Sequence, residues 1–187
     1  MGAWIRRYHL IAAGMIAVLA TPTAGQTVSP AGSEVPTASH EDVATIDGIM
    51  EALYDVISGP AGQARNWDRF RSLFLAEARL IPTGFRDGAA TASLWTPEDY
   101  VAMAGSSLEE NGFFEIEIGR VEERFENIAH VFSTYQSRRT ADGDVIQRGI
   151  NSIQLTWDGE RWWIVNIMWR GVGPHAEIPA KYLRGRG

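Results

Sequence analysis

Two spacings of apolar residues divide the chain into a helical first half and a stranded second half. Between residues 41 and 58, apolar side chains recur every three or four positions, which is the period of a helix with one buried face. They are Ile46, Ile49, Met50, Leu53, Tyr54 and Ile57. Ser39 and Asp42 suit a helix start, and Gly59-Pro60 suits its end. From Phe113 onward the apolar period changes to two, which is typical of strands.

Shorter elements are predicted between these two regions. Asn66 can cap a second, short helix, whose apolar face would hold Trp67, Phe70, Leu73 and Phe74. A short strand at residues 78–82 leads into a loop with the sequence Arg86-Asp87-Gly88. The segment Thr96-Pro97-Glu98-Asp99 predicts a third helix, because proline and acidic residues both favour the first helical turn. This helix should end at Asn111-Gly112.

The second half predicts four long antiparallel strands, at residues 113–125, 128–139, 145–157 and 160–170. Asp142-Gly143 and Asp158-Gly159 suit two-residue hairpin turns, and Glu126-Asn127 is a weaker candidate for the first turn. Helices followed by a meander of strands indicate an α+β fold with helices packed on one face of a curved sheet.

Two-residue turns throughout would fix the strand register and the composition of both sheet faces. The first face would carry the rows Gly119/Thr134/Asn151/Asn166, Val121/Phe132/Ile153/Ile164 and Glu123/His130/Leu155/Trp162. The second face would carry Ile116/Ser137/Arg148/Trp169, Ile118/Tyr135/Ile150/Ile167, Arg120/Ser133/Ser152/Val165 and Glu122/Val131/Gln154/Trp163. Both faces are too apolar to be left in water. A single β-bulge would exchange the faces along part of a strand.

The second face is expected to line a pocket, because it sets a few polar side chains among aromatic ones, and the first face is the alternative. Together with the helices, it gives a candidate ligand pocket of Tyr54, Trp67, Ser133, Tyr135, Arg148, Ser152, Gln154, Trp163 and Trp169. The first face is then expected to form the contact surface of a homodimer, with the row Thr134/Asn151/Asn166 hydrogen-bonded across it.

The first 25 residues have the layout of a secretory signal peptide. Arg6 and Arg7 precede the apolar run Leu10 to Ala20, and small residues follow. The run is short for a membrane span, although an uncleaved anchor remains the alternative. Residues 26–40 are rich in Pro, Ser, Thr and Gly and are interpreted as a flexible leader. The folded domain is predicted at 41–172, with a C-terminal tail at 173–187 and a periplasmic or secreted location.

Charge and cysteine content narrow the possible partners. The net charge of −6 falls to about −8 if the signal peptide is removed with Arg6 and Arg7. An acidic chain with pI near 5.2 argues against nucleic acid, and against a membrane surface after signal cleavage, as the main partner. The chain has no cysteine, so disulfides and thiolate metal sites are excluded.

The order of elements resembles the nuclear transport factor 2-like (NTF2-like, SnoaL-like) superfamily, and in particular its exported bacterial members. The segments that carry the resemblance are NIAHVFSTYQSR, GINSIQLTWDGERWWIV and IPAKYL, within residues 41–183. The resemblance implies a cone: a strongly bent antiparallel sheet around a cavity that the N-terminal helices close. It also implies a range of functions, from isomerases, dehydratases and cyclases to non-catalytic binding domains, so the fold alone does not give the activity.

Candidate catalytic groups are few. The superfamily's isomerases use a tyrosine of the first helix with a carboxylate in the cone, and the resemblance implies Tyr54 for the first role, although a core tyrosine is the alternative. Glu122 is the only carboxylate expected on the second face. Glu123 opposite His130 could form a general base, or a plain cross-strand pair beside a turn. No metal-ligand spacing is present, and no cofactor is expected.

Three functions therefore remain open. The first is binding of a small apolar or aromatic molecule in the cavity, without an assigned activity. The second is cofactor-independent acid–base catalysis by an isomerase, dehydratase or cyclase. The third is a pure interaction domain. An enzyme would differ from a binder by a titratable group with a shifted pKa inside the cavity.

Overall fold

The structure is a computed structural model that describes residues 35–173 and 177–184. The helices are α1 His40–Val43, α2 Ile46–Ile57, α3 Trp67–Ser72 and α4 Pro97–Asn111. The strands are β1 Phe74–Arg86, β2 Ala89–Ala92, β3 Phe114–Phe125, β4 Ile128–Arg138, β5 Val145–Trp157 and β6 Trp162–Gly171. A 3₁₀ turn follows at Ala180–Tyr182. The predicted signal peptide, most of the predicted leader and parts of the predicted tail lie outside the described residues.

Local capping explains where the helices begin. Thr45 Oγ1 accepts a hydrogen bond of 2.9 Å from the backbone N–H of Gly48 and starts α2. The helix predicted at 41–58 is therefore divided into α1 and α2. A Cβ at Gly48 would lie 2.5 Å from the Glu41 carbonyl oxygen, so the junction requires glycine. The helix start predicted at Thr96 is confirmed, and Thr96 and Asp99 form a capping box.

The α+β class is confirmed by a curved, unclosed sheet of six strands in the order β2-β1-β6-β5-β4-β3. β1 runs parallel to β6, and the other neighbours are antiparallel. β1 is longer than the predicted strand at 78–82, and it includes Phe74, which was expected on a helix. Asp87 and Gly88 have φ of 52° and 80° and form a tight turn into β2, an element that the sequence pattern did not predict.

The hydrophobic core lies between the helices and the concave face of the sheet. α2 contributes much of it and packs against β3 and β6. The fully buried residues of the core include Ile49, Met50, Phe70, Leu73, Ile153 and Ile164. Trp162 and Leu155 also belong to this core, not to the outer face where the predicted register placed them.

Two of the three predicted turns are wrong, and they displace β5 and β6. Thr140 accepts a bond of 3.1 Å from Gly143 N–H, so Asp142-Gly143 occupies the last two positions of a β-turn instead of its centre. The connection is therefore 139–144. At the next turn, Asp158 Oδ1 accepts bonds from the backbone of Glu160 and Arg161, which widens that connection to 158–161. The first turn, at Glu126-Asn127, has two residues as predicted, with Phe125 paired to Ile128.

A β-bulge in β3 produces a further exchange of faces. Gly119 pairs with Thr134 and Glu117 with Tyr135, so Ile118 is the extra residue. The rows nearest the turn, such as Glu123 opposite His130, agree with the predicted register. Beyond the bulge, Glu115 takes the position opposite Ser137 that was expected for Ile116.

These shifts rearrange the row expected to join two subunits. Asn151 pairs with Ser133 and Trp169, and its side chain faces the core. Thr134 faces the opposite side of the sheet, where its Oγ1 donates a 2.6 Å bond to the carbonyl of Tyr182. The C-terminal residues thus cover part of the outer face within the same chain, and the predicted Thr134/Asn151/Asn166 row does not exist as a single surface.

Candidate functional site

A cavity of about 260 Å³ lies between the helices and the concave face of the sheet. Its aromatic lining is Tyr54, Phe70, Tyr100, Phe113, Tyr135 and Trp169. Its polar lining is Glu115, Ser137, Gln147 and Asn151. A largely aromatic wall with a few polar groups is the usual composition of a small-molecule pocket.

Four residues of the predicted pocket are at or beside this cavity. Tyr54 from α2, Tyr135 from β4 and Trp169 from β6 line it directly. Ser133 lies in the same wall, fully buried, with its Oγ 2.7 Å from the Tyr54 hydroxyl. The odd-numbered residues of β4 face inward as expected, which accounts for Ser133 and Tyr135, and the buried face of α2 accounts for Tyr54. An irregularity in β6, between Ile164 and Asn166, turns Trp169 to the concave face.

The other five predicted pocket residues do not line the cavity. Arg148, Ser152 and Gln154 lie on the opposite face, because the wider 139–144 connection shifts β5 by one residue against β4. Trp163 also points away from the core; Arg161 stacks 3.6 Å from its ring centre. Trp67 packs behind the cavity, where its Nε1 donates a 2.9 Å bond to Glu109.

Glu115 is the candidate functional group that the sequence pattern missed. Its carboxyl lines the aromatic cavity, and burial raises its pKa to about 8, while a hydrogen bond from Asn151 opposes that rise. The alternation of Glu115, Ile116, Glu117 and Ile118 predicted the reverse orientation, with the isoleucines inward. Gly119 was the available signal, since an isolated glycine in a strand often marks a bulge.

A second, more polar depression of about 430 Å³ lies on the other side of the same wall. Tyr54 and Glu115 line both spaces. The depression is otherwise bordered mainly by polar residues, among them Glu51, Asp55, Ser58, Glu117 and Arg120. Glu115 therefore separates an apolar interior from a surface that water can reach.

A chain of buried hydrogen bonds runs through this wall. Asn151 Nδ2 donates to the Tyr54 hydroxyl over 3.1 Å, and Ser133 Oγ donates to Glu117 Oε1 over 2.5 Å. Glu117 in turn pairs with Arg120, whose guanidinium contacts it at 2.8 Å. Burial, followed by the nearby Glu115, raises the pKa of Tyr54 well above its ordinary value. The phenol of Tyr54 is therefore neutral across the physiological pH range.

Tyr100 and Tyr135 differ from Tyr54 in their surroundings. Burial and then the proximity of Glu115 raise the pKa of both phenols. Within the part of the chain that the structure describes, neither hydroxyl makes a hydrogen bond to another residue. Both phenols are thus free to donate a hydrogen bond to a molecule in the cavity.

The remaining catalytic candidates lie elsewhere. Glu123 and His130 are a cross-strand pair on the outer face, and His130 Nε2 lies 3.0 Å from Ser152 Oγ. Glu122 contacts Arg120 at 3.5 Å. Neither position reaches the cavity. Across residues 35–173 and 177–184, no three acidic or histidine side chains are grouped as a metal site would require. None of the helices in those residues has the length and apolar character needed to span a bilayer.

The class of fold follows from this geometry: an α+β cone with a curved, unclosed sheet around an interior cavity. The sequence itself matches no protein-family model and no curated protein.

Several solved structures share the fold at low identity. LinA superposes with a TM-score of 0.52 at 10% identity, covering 73% of this chain and 93% of its own. A protein of unknown function with a cystatin-like fold from Nostoc punctiforme reaches 0.50 at 10% identity, covering 68% and 90%. An NTF2-like protein of unknown function from Silicibacter pomeroyi reaches 0.47 at 14% identity, covering 69% and 94%. Identities this low establish the fold and leave the chemistry to the site.

Proposed function

We propose that the protein binds a small, largely apolar molecule in its cavity and transfers a proton to or from it through Glu115. The observation that carries this proposal is the position of one carboxyl group inside an aromatic cavity, with a pKa of about 8. A group with a pKa near the working pH exists in both forms, and it can therefore act as acid or base. Such a titratable group is the feature that distinguishes an enzyme from a simple binder here.

The rest of the cavity supports the same chemistry. Tyr100 and Tyr135 can donate hydrogen bonds to an oxygen atom on which negative charge develops, while the surrounding aromatic rings exclude water. Apolar cavities of roughly 150 Å³ already accept benzene. The present cavity of about 260 Å³ therefore suits one ring with substituents or two fused rings. Isomerisation, dehydration and cyclisation of such a molecule can each proceed by proton transfer without a cofactor.

Proton exchange at a carbon next to a carbonyl group tests the proposal without knowledge of the natural substrate. Indanone, tetralone and cyclohexenone would be incubated with the protein in D2O, and the loss of the α-proton signals would be followed by NMR. We expect exchange that rises with pH through about 8, as the Glu115 carboxylate forms. Glu115→Gln should slow it by about 10²-fold or more.

Glu123→Gln is the matched control, because Glu123 lies in the same strand but on the outer face. It should leave the exchange rate unchanged. Equal loss in both variants, or full activity in Glu115→Gln, would refute the acid–base role. Saturable binding of a ketone without exchange would instead favour the non-catalytic function, with the cavity as a binding site only.

We further infer that the protein is exported and acts as a homodimer. The arginine pair and apolar run of residues 6–20 support export. Apolar side chains on the outer face, such as Met168 at 45% exposure and Val121 at 39%, support self-association. Native mass spectrometry of the protein recovered from the periplasm of the cells that produce it tests signal cleavage and dimer formation. A full-length mass would contradict signal cleavage, and a monomer at micromolar concentration would contradict the dimer.

A further inference from the structure

The wall of the cavity contains a chain of hydrogen bonds, and the ion pair of Glu117 and Arg120 at its outer end determines which group donates in each bond. We propose that Glu117, Ser133 and Tyr54 hold the Asn151 side chain with its amide NH2 group toward Glu115, so that Tyr54 is a positioning residue and does not donate to a ligand. This inference deepens the proposed function, since it takes Glu115 as the working carboxyl. It concerns which neighbour controls that carboxyl.

The ion pair of Glu117 and Arg120 fixes the first step. Their side chains are only 12% and 4% exposed, and Arg120 Nε lies 3.0 Å from both carboxylate oxygens of Glu117. A carboxylate paired with a guanidinium can only accept hydrogen bonds. The hydroxyl of Ser133, 2.5 Å from Glu117 Oε1, must therefore donate to it.

The next steps follow from the number of hydrogens available. Ser133 has used its single proton, so it can only accept from the Tyr54 hydroxyl at 2.7 Å. Tyr54 then has no proton left for the cavity, and its oxygen accepts from Asn151 Nδ2 at 3.1 Å. Arg120 thus determines the direction of every bond from Glu117 to Asn151.

The orientation of Asn151 has a consequence for Glu115. With Nδ2 bound to Tyr54, the second hydrogen of the same NH2 group is available to the Glu115 carboxyl. A donor at that place stabilises the carboxylate, in agreement with the direction in which Asn151 moves the pKa of Glu115. A reversed Asn151 would present its carbonyl oxygen and stabilise the protonated acid instead.

The other titratable groups facing Glu115 do not belong to this chain. On the side of the cavity they are Tyr100 from α4 and Tyr135 from β4, and Arg170 of β6 acts on Tyr135. On the side of the depression they are Glu51 and Asp55 from α2. Among the phenols that line the cavity, Tyr100 and Tyr135 keep a hydroxyl proton that no other described residue accepts. Hydrogen bonds to a ligand oxygen are therefore assigned to Tyr100 and Tyr135, although Tyr54 is the residue that its helix position first suggests.

Glu117→Gln tests the direction of the chain. A glutamine would turn its oxygen to Arg120 and its NH2 group to Ser133, so Ser133 would become an acceptor from Gln and a donor to Tyr54. Tyr54 would then donate to Asn151, whose carbonyl would have to face it. The pKa of Glu115 should rise by about one unit, the size of one lost hydrogen bond to a charged group.

The measurement is a 13C NMR titration of the Glu115 carboxyl in the ligand-free protein, assigned by its absence in Glu115→Gln. Glu122→Gln is the matched control, because Glu122 also contacts Arg120 but lies away from Ser133. It should leave the titration of Glu115 unchanged. The charge lost in Glu117→Gln would by itself lower the pKa of Glu115, so the two explanations predict opposite signs.

A fall in the Glu115 pKa in Glu117→Gln, no change, or an equal rise in Glu122→Gln would overturn the inference. Ser133→Ala gives an independent check. Tyr54 then loses its acceptor and can turn its hydroxyl proton to the cavity. Binding of indanone should therefore weaken less in Ser133→Ala than in Tyr100→Phe, which removes a donor from the cavity. A ligand-free titration separates this outcome from the proposed function. Exchange of ketone protons by Glu115 does not depend on the direction of the hydrogen-bond chain. Equally, the titration can confirm that direction in a protein that exchanges no ketone protons.

Discussion

Replacement of Glu115 by glutamine should make the folded protein more stable in alkaline solution. The pKa of Glu115 is raised by burial from 4.5 to about 8, so the folded state retains a proton that the unfolded state has lost over that interval. The folded state binds more protons, and the free energy of unfolding therefore falls as pH rises from about 4.5 to 8. Below pH 4.5 Glu115 is protonated in both states and causes no loss of stability. Above pH 8 the carboxylate is buried in the folded state, and the full loss of stability is present.

The magnitude follows from the size of the shift. At about 1.4 kcal/mol per pKa unit, a rise from 4.5 to about 8 corresponds to an upper value of about 5 kcal/mol. Solvent in the polar depression that Glu115 also borders stabilises the carboxylate and lowers this figure, so we expect the measured difference to be at least about 2 kcal/mol. That is a considerable part of the stability of an ordinary domain.

Urea denaturation followed by tryptophan fluorescence measures this difference. The wild type and Glu115→Gln would be compared at pH 5 and pH 9, with equal m-values as the check that only stability has changed. Other groups that titrate between pH 5 and pH 9 do so in both proteins, so their effect on stability cancels when the two proteins are compared. Glu123→Gln, on the outer face, should follow the wild type at both pH values. Parallel pH profiles for the wild type and Glu115→Gln would refute the assignment of a buried, protonated carboxyl.

Two further predictions concern the frame around the cavity. Arg65, 7% exposed, donates to the carbonyls of Ile57, Gly59 and Leu108 at 2.7–3.1 Å, near the C-terminal ends of α2 and α4. Arg65→Ala should lower the free energy of unfolding, measured by urea denaturation, by about 3–5 kcal/mol. Arg71→Ala, at a more exposed position, should lower it by under about 1 kcal/mol. Similar losses in the two variants would contradict the role of Arg65 in binding the helix ends. Gly119→Ala would place a Cβ 2.3 Å from the Tyr182 carbonyl oxygen. Hydrogen exchange at residues 177–184 should accelerate, and unchanged protection would show that the segment is held elsewhere.

The elements that depend on neighbouring residues were predictable from sequence. Thr96 and Asp99 form a cap within one turn of chain, and the helical period of α2 reports a single buried face. The register of the sheet was not predictable in this way. Asp142-Gly143 fits two positions in a β-turn equally well, and the bond from Gly143 to Thr140 decides between them.

The site was therefore predicted in part. Tyr54 and Tyr135 reach the cavity because neither the helix face nor β4 depends on the turns that were wrong. Trp169 reaches it because an irregularity in β6, between Ile164 and Asn166, cancels the one-residue shift of β5. Glu115 was missed because the bulge beside Gly119 reverses the inward and outward positions of β3. Gly119 was a local signal of a bulge, but the Tyr182 carbonyl that requires glycine there lies far away in sequence, so the local pattern alone did not establish the bulge.

Under the proposed function, the position of Glu115 makes one residue both unfavourable for folding and useful for chemistry. Its carboxyl lines the aromatic cavity and the polar depression at once, so a proton can reach it from solvent while a ligand occupies the aromatic side. A leucine in its place would pack better and would abolish the pH-dependent loss of stability. Destabilising groups of this kind persist where activity depends on them. The same carboxylate that weakens the folded state above pH 8 is the form that can remove a proton from a bound molecule.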